Sequence, residues 1–227
     1  MAVNSHVEGY QTEAQGDQSH AEGHSTIASG GNSHAEGKET KSIGLNSHAE
    51  GENTQSIGKG SHTEGINTYA SHEATHAEGY STKAYGKYSH TEGYNTTAFG
   101  MHAHAEGTSN VAKGTNSHAE GHTNEAWGGE SHIEGYSGNT YDSAMVKANL
   151  SIPTTNSKYG TNEHIIDVHK TQYKFSLAKG NRSHVEGQQN LALGDFTHAE
   201  GVQNRAIGEN SHVEGWNNIA NGTSQHV

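Results

Sequence analysis

Small and polar positions alternate along this chain, and the whole alternation returns every 14 residues. Take the recurrent histidine of Ser5-His6-Val7-Glu8-Gly9 as position 0 of a repeat. Position −1 is Ser in ten repeats, Thr in two (Thr75, Thr197) and Ala in one (Ala103). Position +1 is Ala seven times and Val, Thr or Ile elsewhere, and +3 is always Gly. His at 0 and Glu at +2 stand between these small residues. Such period-two alternation reads as a strand with one small-residue face and one polar face.

The second half of the repeat has the same form. Position +6 is Thr in the first seven repeats, Thr12 to Thr96, and Asn in the last five intact ones, Asn110 and Asn204 among them. Position +8 is Ala or Ser, and +10 is Gly in eleven of twelve cases, His72 being the exception. Two short strands joined at Gly-marked corners predict one flattened coil per repeat, with Gly supplying the positive φ of tight turns. The two small-residue faces then meet inside, and Thr or Asn stacked at one position in every coil is expected to form hydrogen-bonded ladders. A fixed repeat of this length predicts a solenoid in which each coil contacts its neighbours. Thirteen coils about 4.8 Å apart would span roughly 60 Å.

The repeat is interrupted once. From His132 to His184 is 52 residues, 38 more than one coil needs. The organisation expected is therefore a β-roll over 1–138, an insertion over 139–181 and the roll resumed over 182–227. The insertion holds the only proline, Pro153, and is richer in lysine than the rest. Ile165-Ile166-Asp167-Val168 and Tyr173-Lys174-Phe175-Ser176-Leu177 look like strands of a hairpin-like excursion. It reads either as a clamp on a neighbouring protomer or as an arm that touches a receptor.

Composition fits a thin solenoid. Hydrophobic residues make up only 29% of the chain and aromatics 7%, too little for an ordinary globular core. There is no cysteine, so disulfides and thiolate metal sites are excluded. No apolar run resembles a signal peptide or membrane span, and the chain reads as a segment of a longer protein. The formal charge is −12, with thirteen of the 25 acidic residues supplied by the signature Glu. No basic patch is present, which argues against nucleic acid as a partner.

The outward face of the first strand is constant, and that makes it the candidate functional face. It carries His6 and Glu8, His20 and Glu22, His34 and Glu36, His48 and Glu50, His62 and Glu64, His76 and Glu78, and His90 and Glu92. It continues through His104 and Glu106, His118 and Glu120, His132 and Glu134, His184 and Glu186, His198 and Glu200, and His212 and Glu214. The outward face of the second strand follows no rule. A regular charged face is expected to meet something equally regular, and the simplest such partner is another copy of itself. Three copies about an axis would place three His and three Glu in each layer, joined by charge-assisted hydrogen bonds. Position +9 is apolar at Ile43, Ile57, Tyr85, Phe99, Trp127, Leu193 and Ile207. It reads as packing at the flank of a neighbouring roll, or as a ligand-contact stripe. Tyr10, Tyr80, Tyr94, Tyr136 and Trp216 at +4 are expected to cover the coil's edge.

Catalysis is not expected. An active site is one pocket with unequal environments, whereas the His–Glu pair recurs thirteen times, and nucleophile-elbow, P-loop and His-Glu-x-x-His signatures are missing. His24, His72, His102, His122, His164 and His169 read as solvated. No cofactor is required. Three His meeting on an axis suit Zn²⁺ or Ni²⁺, with an anion between protonated imidazoles or ordered water as the other candidate occupants. Whether pairing with Glu raises the imidazole pKa or burial lowers it is left open by the sequence.

The pattern S-H-A-E-G-x-x-T-x-A-x-G, over residues 4–138 and 183–227, resembles the head repeats of YadA-like trimeric autotransporter adhesins, a repeat type also found in phage tail fibres. The family repeat reads N-S-V-A-I-G. Aligned on it, His6 falls where the family has Val and Glu8 where it has Ile, positions that face the trimer's central core. The resemblance implies a left-handed parallel β-roll assembled as a homotrimer, an extracellular place on a bacterial surface or virion tail, and binding to a host or cell-surface receptor. A polar axis in place of an aliphatic one is this chain's departure from the family. A reading from another class is a monomeric solenoid whose exposed His/Glu array binds metal or mineral.

Overall fold

A computed structural model describes residues 2–136, 150–151, 165–166 and 176–227. The chain winds into a parallel β-solenoid. Thirteen first strands, beginning at His6–Tyr10 and ending at His212–Val213, form one parallel sheet. Thirteen second strands, from Glu13–Ala14 to Ile219–Ala220, form another. The register follows the 14-residue period, so that His20 pairs with His34, Glu22 with Glu36, and Ile27 with Lys41. Like therefore stacks on like at the His, Glu and Gly positions of the first strand, while the outward positions of the second strand pair unlike residues.

The interior is narrow because its residues are small. Ala21, Ala35, Ala49 and Ala77 from the first sheet and Ala28, Ala70 and Ala84 from the second are fully buried. Ser at −1 is buried as well, and its hydroxyl donates to the carbonyl three residues earlier, as Ser19 to Gly16 at 2.6 Å and Ser33 to Gly30 at 2.6 Å. A buried hydroxyl bonded in this way avoids the cost of an unmade hydrogen bond. Larger residues enter at +1 near the interruption, where Ile133 pairs with Val185 and both are buried.

The glycines serve two purposes where the sequence suggested one. At +3 the backbone does have positive φ, as at Gly51 (φ 109) and Gly201 (φ 99). At +10 it does not. There a Cβ on Gly44 would lie 2.0 Å from the carbonyl oxygen of Gly58 in the next coil, so glycine is required by close approach rather than by turning. The corners turn instead at +5 and +12, on non-Gly residues with φ between 50° and 60° such as Asn53 and Asn67 at +5 and Asn32 and Asn116 at +12. Asn visits this left-handed region more readily than other non-Gly residues.

The second sheet crosses the interruption without losing register. Leu177–Ala178 pair with Glu125–Ala126 on one side and Leu191–Ala192 on the other, and Ser176 is buried. The roll thus takes up again ahead of residue 182, and the extra residues enter between the first and second strands of a single coil. Within them Leu150–Ser151 pair antiparallel with Ile165–Ile166. That pairing joins the expected Ile165–Ile166 run to an earlier segment, while the expected second strand contributes Leu177 to the roll. Asp167–Val168 and Tyr173–Phe175 lie outside the described residues, as do the clamp and receptor-arm readings of the insertion.

Candidate assembly face

The outward side of the first sheet carries every His and Glu that the sequence singled out, in two parallel columns. The imidazoles form one stack. Ring centroids from His20 to His34 and from His34 to His48 are 4.7 Å apart, with planes 9° and 12° from parallel. The stack crosses the interruption, with His132 and His184 at 5.0 Å, and ends with His212 on His226 at 4.6 Å. Only His6 breaks the pattern, meeting His20 edge-on at 77°.

Eight of the column imidazoles, His20, His34, His76 and His198 among them, bring Nε2 within 4.0 Å of the carboxylate two residues on, while His104 faces Glu92 of the preceding coil. The separations are 3.6 Å for His20–Glu22, 3.8 Å for His34–Glu36, 3.5 Å for His76–Glu78 and 3.5 Å for His198–Glu200. These exceed hydrogen-bond length. His118 differs: its Nε2 lies 3.1 Å from Glu106 of the preceding coil. In this single chain the side chains are half-buried, His34 34% and Glu36 47% exposed.

Burial decides the question that the sequence left open. The pKa values of His34, His48, His62, His76, His90, His104, His132 and His198 all lie below the ordinary value. Desolvation is the largest cause, and the neighbouring imidazoles add to it. The carboxylates pull the other way and lose. The Glu column carries a further pattern that sequence reasoning missed. Glu92 is pushed up to about 7 by hydrogen bonds to Glu106 and Glu78, and Glu120 to about 7 by its hydrogen bond to Glu134 and by burial. Around Glu92, Glu106 and Glu120 the stacked carboxyls share protons, Glu92 and Glu120 holding theirs to higher pH while Glu106, despite its burial, is lowered by its hydrogen bonds to Glu92 and His118.

The +9 stripe lies on the outer face of the second sheet. Ile43 and Phe99 are exposed, while Ile57, Tyr85, Trp127, Leu193 and Ile207 are half-buried. Tyr85 stacks on Phe99 at 5.2 Å, and Lys113 sits 3.7 Å over the Trp127 ring. The aromatic +4 positions are exposed, Trp216 most of all at 72%, and Tyr80 stacks on Tyr94 at 5.2 Å. Leu177 and Leu191, stacked at +7 of this outer face, are 5% and 0% exposed. Their spacing of 14 was the signal available in the sequence. Neighbouring Lys179 has its pKa lowered by burial.

Three donors from two adjacent coils also come close enough to suit an ion. In the group His34, Glu36 and His48, and again in His76, Glu78 and His90, the three donor atoms lie within 4.8 Å of one another. Among the described residues no helix is long and apolar enough to cross a membrane. No curated protein matches the chain. Residues 21–40, inside the coils that begin at His20 and His34, match the family model of the YadA head domain repeat, so that this stretch of the roll carries that repeat in two copies.

Proposed function

We propose that the chain is the head or shaft of a trimeric surface adhesin, in which three rolls pack with their His/Glu faces toward a common axis. One observation carries the reading. The first sheet's outer face repeats the same two charged side chains in thirteen coils, whereas the second sheet's outer face varies freely. The YadA head repeat at residues 21–40 supports it. The axial residues are then the column from His6 and Glu8 to His212 and Glu214. Covering the shielded imidazoles with a partner's carboxylates would supply the hydrogen bonds that a single chain leaves unmade.

In this arrangement the chain binds rather than catalyses. Its stacked coils give a stiff rod on the bacterial surface, and the contact with a host or cell-surface receptor falls to surfaces that face outward. Those are the +9 stripe, the aromatic +4 corner and the insertion. The same rod would serve in a phage tail fibre. Light scattering tests the assembly. A mass of about 72 kDa, three times the 24.1 kDa chain, is expected. A mass of one chain at micromolar concentration would sink the trimer and leave the isolated solenoid.

A further inference from the structure

Eleven column imidazoles, from His20 to His212, shield Nε2 from solvent and give it no hydrogen-bond partner among the described residues. A shielded polar atom without a partner is costly and calls for an explanation, an ion among the usual ones. Here the same atom is left unpaired coil after coil, and in seven of the eleven a carboxylate oxygen lies within 4.0 Å of it. The separations of 3.5 Å at His76–Glu78, 3.6 Å at His20–Glu22 and 3.8 Å at His34–Glu36 are too long for a hydrogen bond. They are close to what two ligands of one ion require, since donors each about 2.1 Å from a metal at tetrahedral to trigonal angles stand roughly 3.4–3.6 Å apart.

The donor type narrows the ion. Imidazole nitrogen with carboxylate oxygen suits zinc, nickel or cobalt; calcium and magnesium prefer oxygen alone, and copper(I) prefers sulfur. The stack narrows the geometry. Rings that lie 4.7 Å apart and 9° from parallel, as His20 and His34 do, send their lone pairs in the same direction. Two neighbouring imidazoles therefore cannot converge on one ion without tilting. Each coil's own His and Glu form the primary pair, and water or a third group completes the shell.

We propose that the slot between the His and Glu columns is a linear array of sites for divalent transition ions, each held by the Nε2 of one histidine and the carboxylate two residues on. Ions in adjacent slots would be less than 5 Å apart and repel strongly. Filling is therefore expected in alternate coils. The array is argued from one chain's geometry; where an ion is bound, a partner's carboxylate in the threefold assembly would serve as a further ligand rather than pair with Nε2.

The test uses the full chain, stripped with chelator and titrated with zinc alone by calorimetry at neutral pH, with light scattering alongside to report the assembly separately. About six ions per chain are expected if alternate coils fill. The triple substitution Glu50→Gln, Glu64→Gln and Glu78→Gln should lower that number by one or two, since three consecutive slots hold one or two ions when alternate coils fill. Uptake of one ion or fewer per chain, or uptake unchanged in the triple variant, overturns the proposal. If the variant misfolds, cobalt on the unmodified chain decides. Intense visible bands of a low-coordinate site support the array, and the pale spectrum of six-coordinate cobalt on scattered surface histidines overturns it.

Discussion

In the coil that passes through Thr54 the second strand is entered by a buried hydroxyl with no partner. In the coil that passes through Asn204 the same position is among the most fully bonded in the roll. The Asn204 amide donates to the carbonyl of Glu200 at 2.5 Å and to that of Gly215 in the next coil at 2.7 Å. Its oxygen accepts from the backbone of Asn218 at 2.9 Å. The Thr coils, up to Thr82, leave their hydroxyls unpaired, whereas Thr96 reaches the Glu92 carbonyl at 3.0 Å. One backbone period thus accepts two chemistries. Threonine fits the narrow interior by shape, and asparagine fastens the corner of one coil to the next. The positive φ of the neighbouring glycine follows the difference, 109° at Gly51 against 99° at Gly201.

The largest effect expected from this contrast is at Asn204. Asn204→Ala removes three hydrogen bonds and takes one donor from the carbonyls of Glu200 and Gly215. A loss of about 3 kcal/mol is expected. Because each coil of a solenoid contacts only its neighbours, the damage should be local. Amide exchange should quicken in the coils around residues 190–220 and stay unchanged around residues 20–70. Uniform loosening along the chain would show that the corner bonds are not what separates the two halves.

The part of this comparison that a sequence can carry is the alternation of faces. His and Glu at 0 and +2, and Ser and Ala at −1 and +1, sort themselves by a period of two, and the resulting coil, sheets and charged face are those observed. What could not be read depends on distances between coils. Gly44 at +10 is indispensable because of Gly58's carbonyl, 14 residues away in sequence, and a turn-based reading credits it with the wrong task. The ladder expected of Thr and Asn alike forms only where the side chain is long enough to reach both its own corner and the next. Proton sharing between Glu92 and Glu106 likewise follows from stacking, which residue type alone does not convey.

Titration sharpens a second contrast, between the imidazole and carboxylate columns. A histidine whose folded pKa is lowered contributes stability that is fully present above the unfolded value of 6.5 and lost as pH falls below it. Glu92 and Glu120, raised from 4.5 to about 7, act in the opposite sense, and their contribution is lost as pH rises from 4.5 to about 7. Between pH 7 and pH 5 the two columns therefore oppose each other in the metal-free chain: acidification costs stability through the lowered histidines, and the two raised carboxyls offset part of that loss. In the pair Glu92→Gln and Glu120→Gln the opposing slope is gone. The variant should therefore lose stability more steeply on acidification, and at pH 8 should melt no lower than the parent. Equal pH profiles for parent and variant would refute the shared protons.

The smallest expected effect is the most selective one. Thr54→Val replaces a buried, unpartnered hydroxyl with a methyl group of the same shape, in a coil where the neighbouring Thr40 and Thr68 hydroxyls are equally unpaired. Where no hydrogen bond is made, the exchange gives up none and relieves the burial of a polar atom, so a change between zero and about +1 kcal/mol of stability is expected. Denaturant midpoints measured on Thr54→Val and Asn204→Ala in the same parent would weigh the threonine corner directly against the asparagine corner. If Thr54→Val destabilises by more than about 1 kcal/mol, the hydroxyl has a partner, and the Thr coils are fastened to one another as the Asn coils are. The contrast between the halves would then be one of geometry alone. If it is neutral or stabilising, threonine is held at this position by the fit of its branched shape between Ala-lined walls, and the hydroxyl is incidental to the fold.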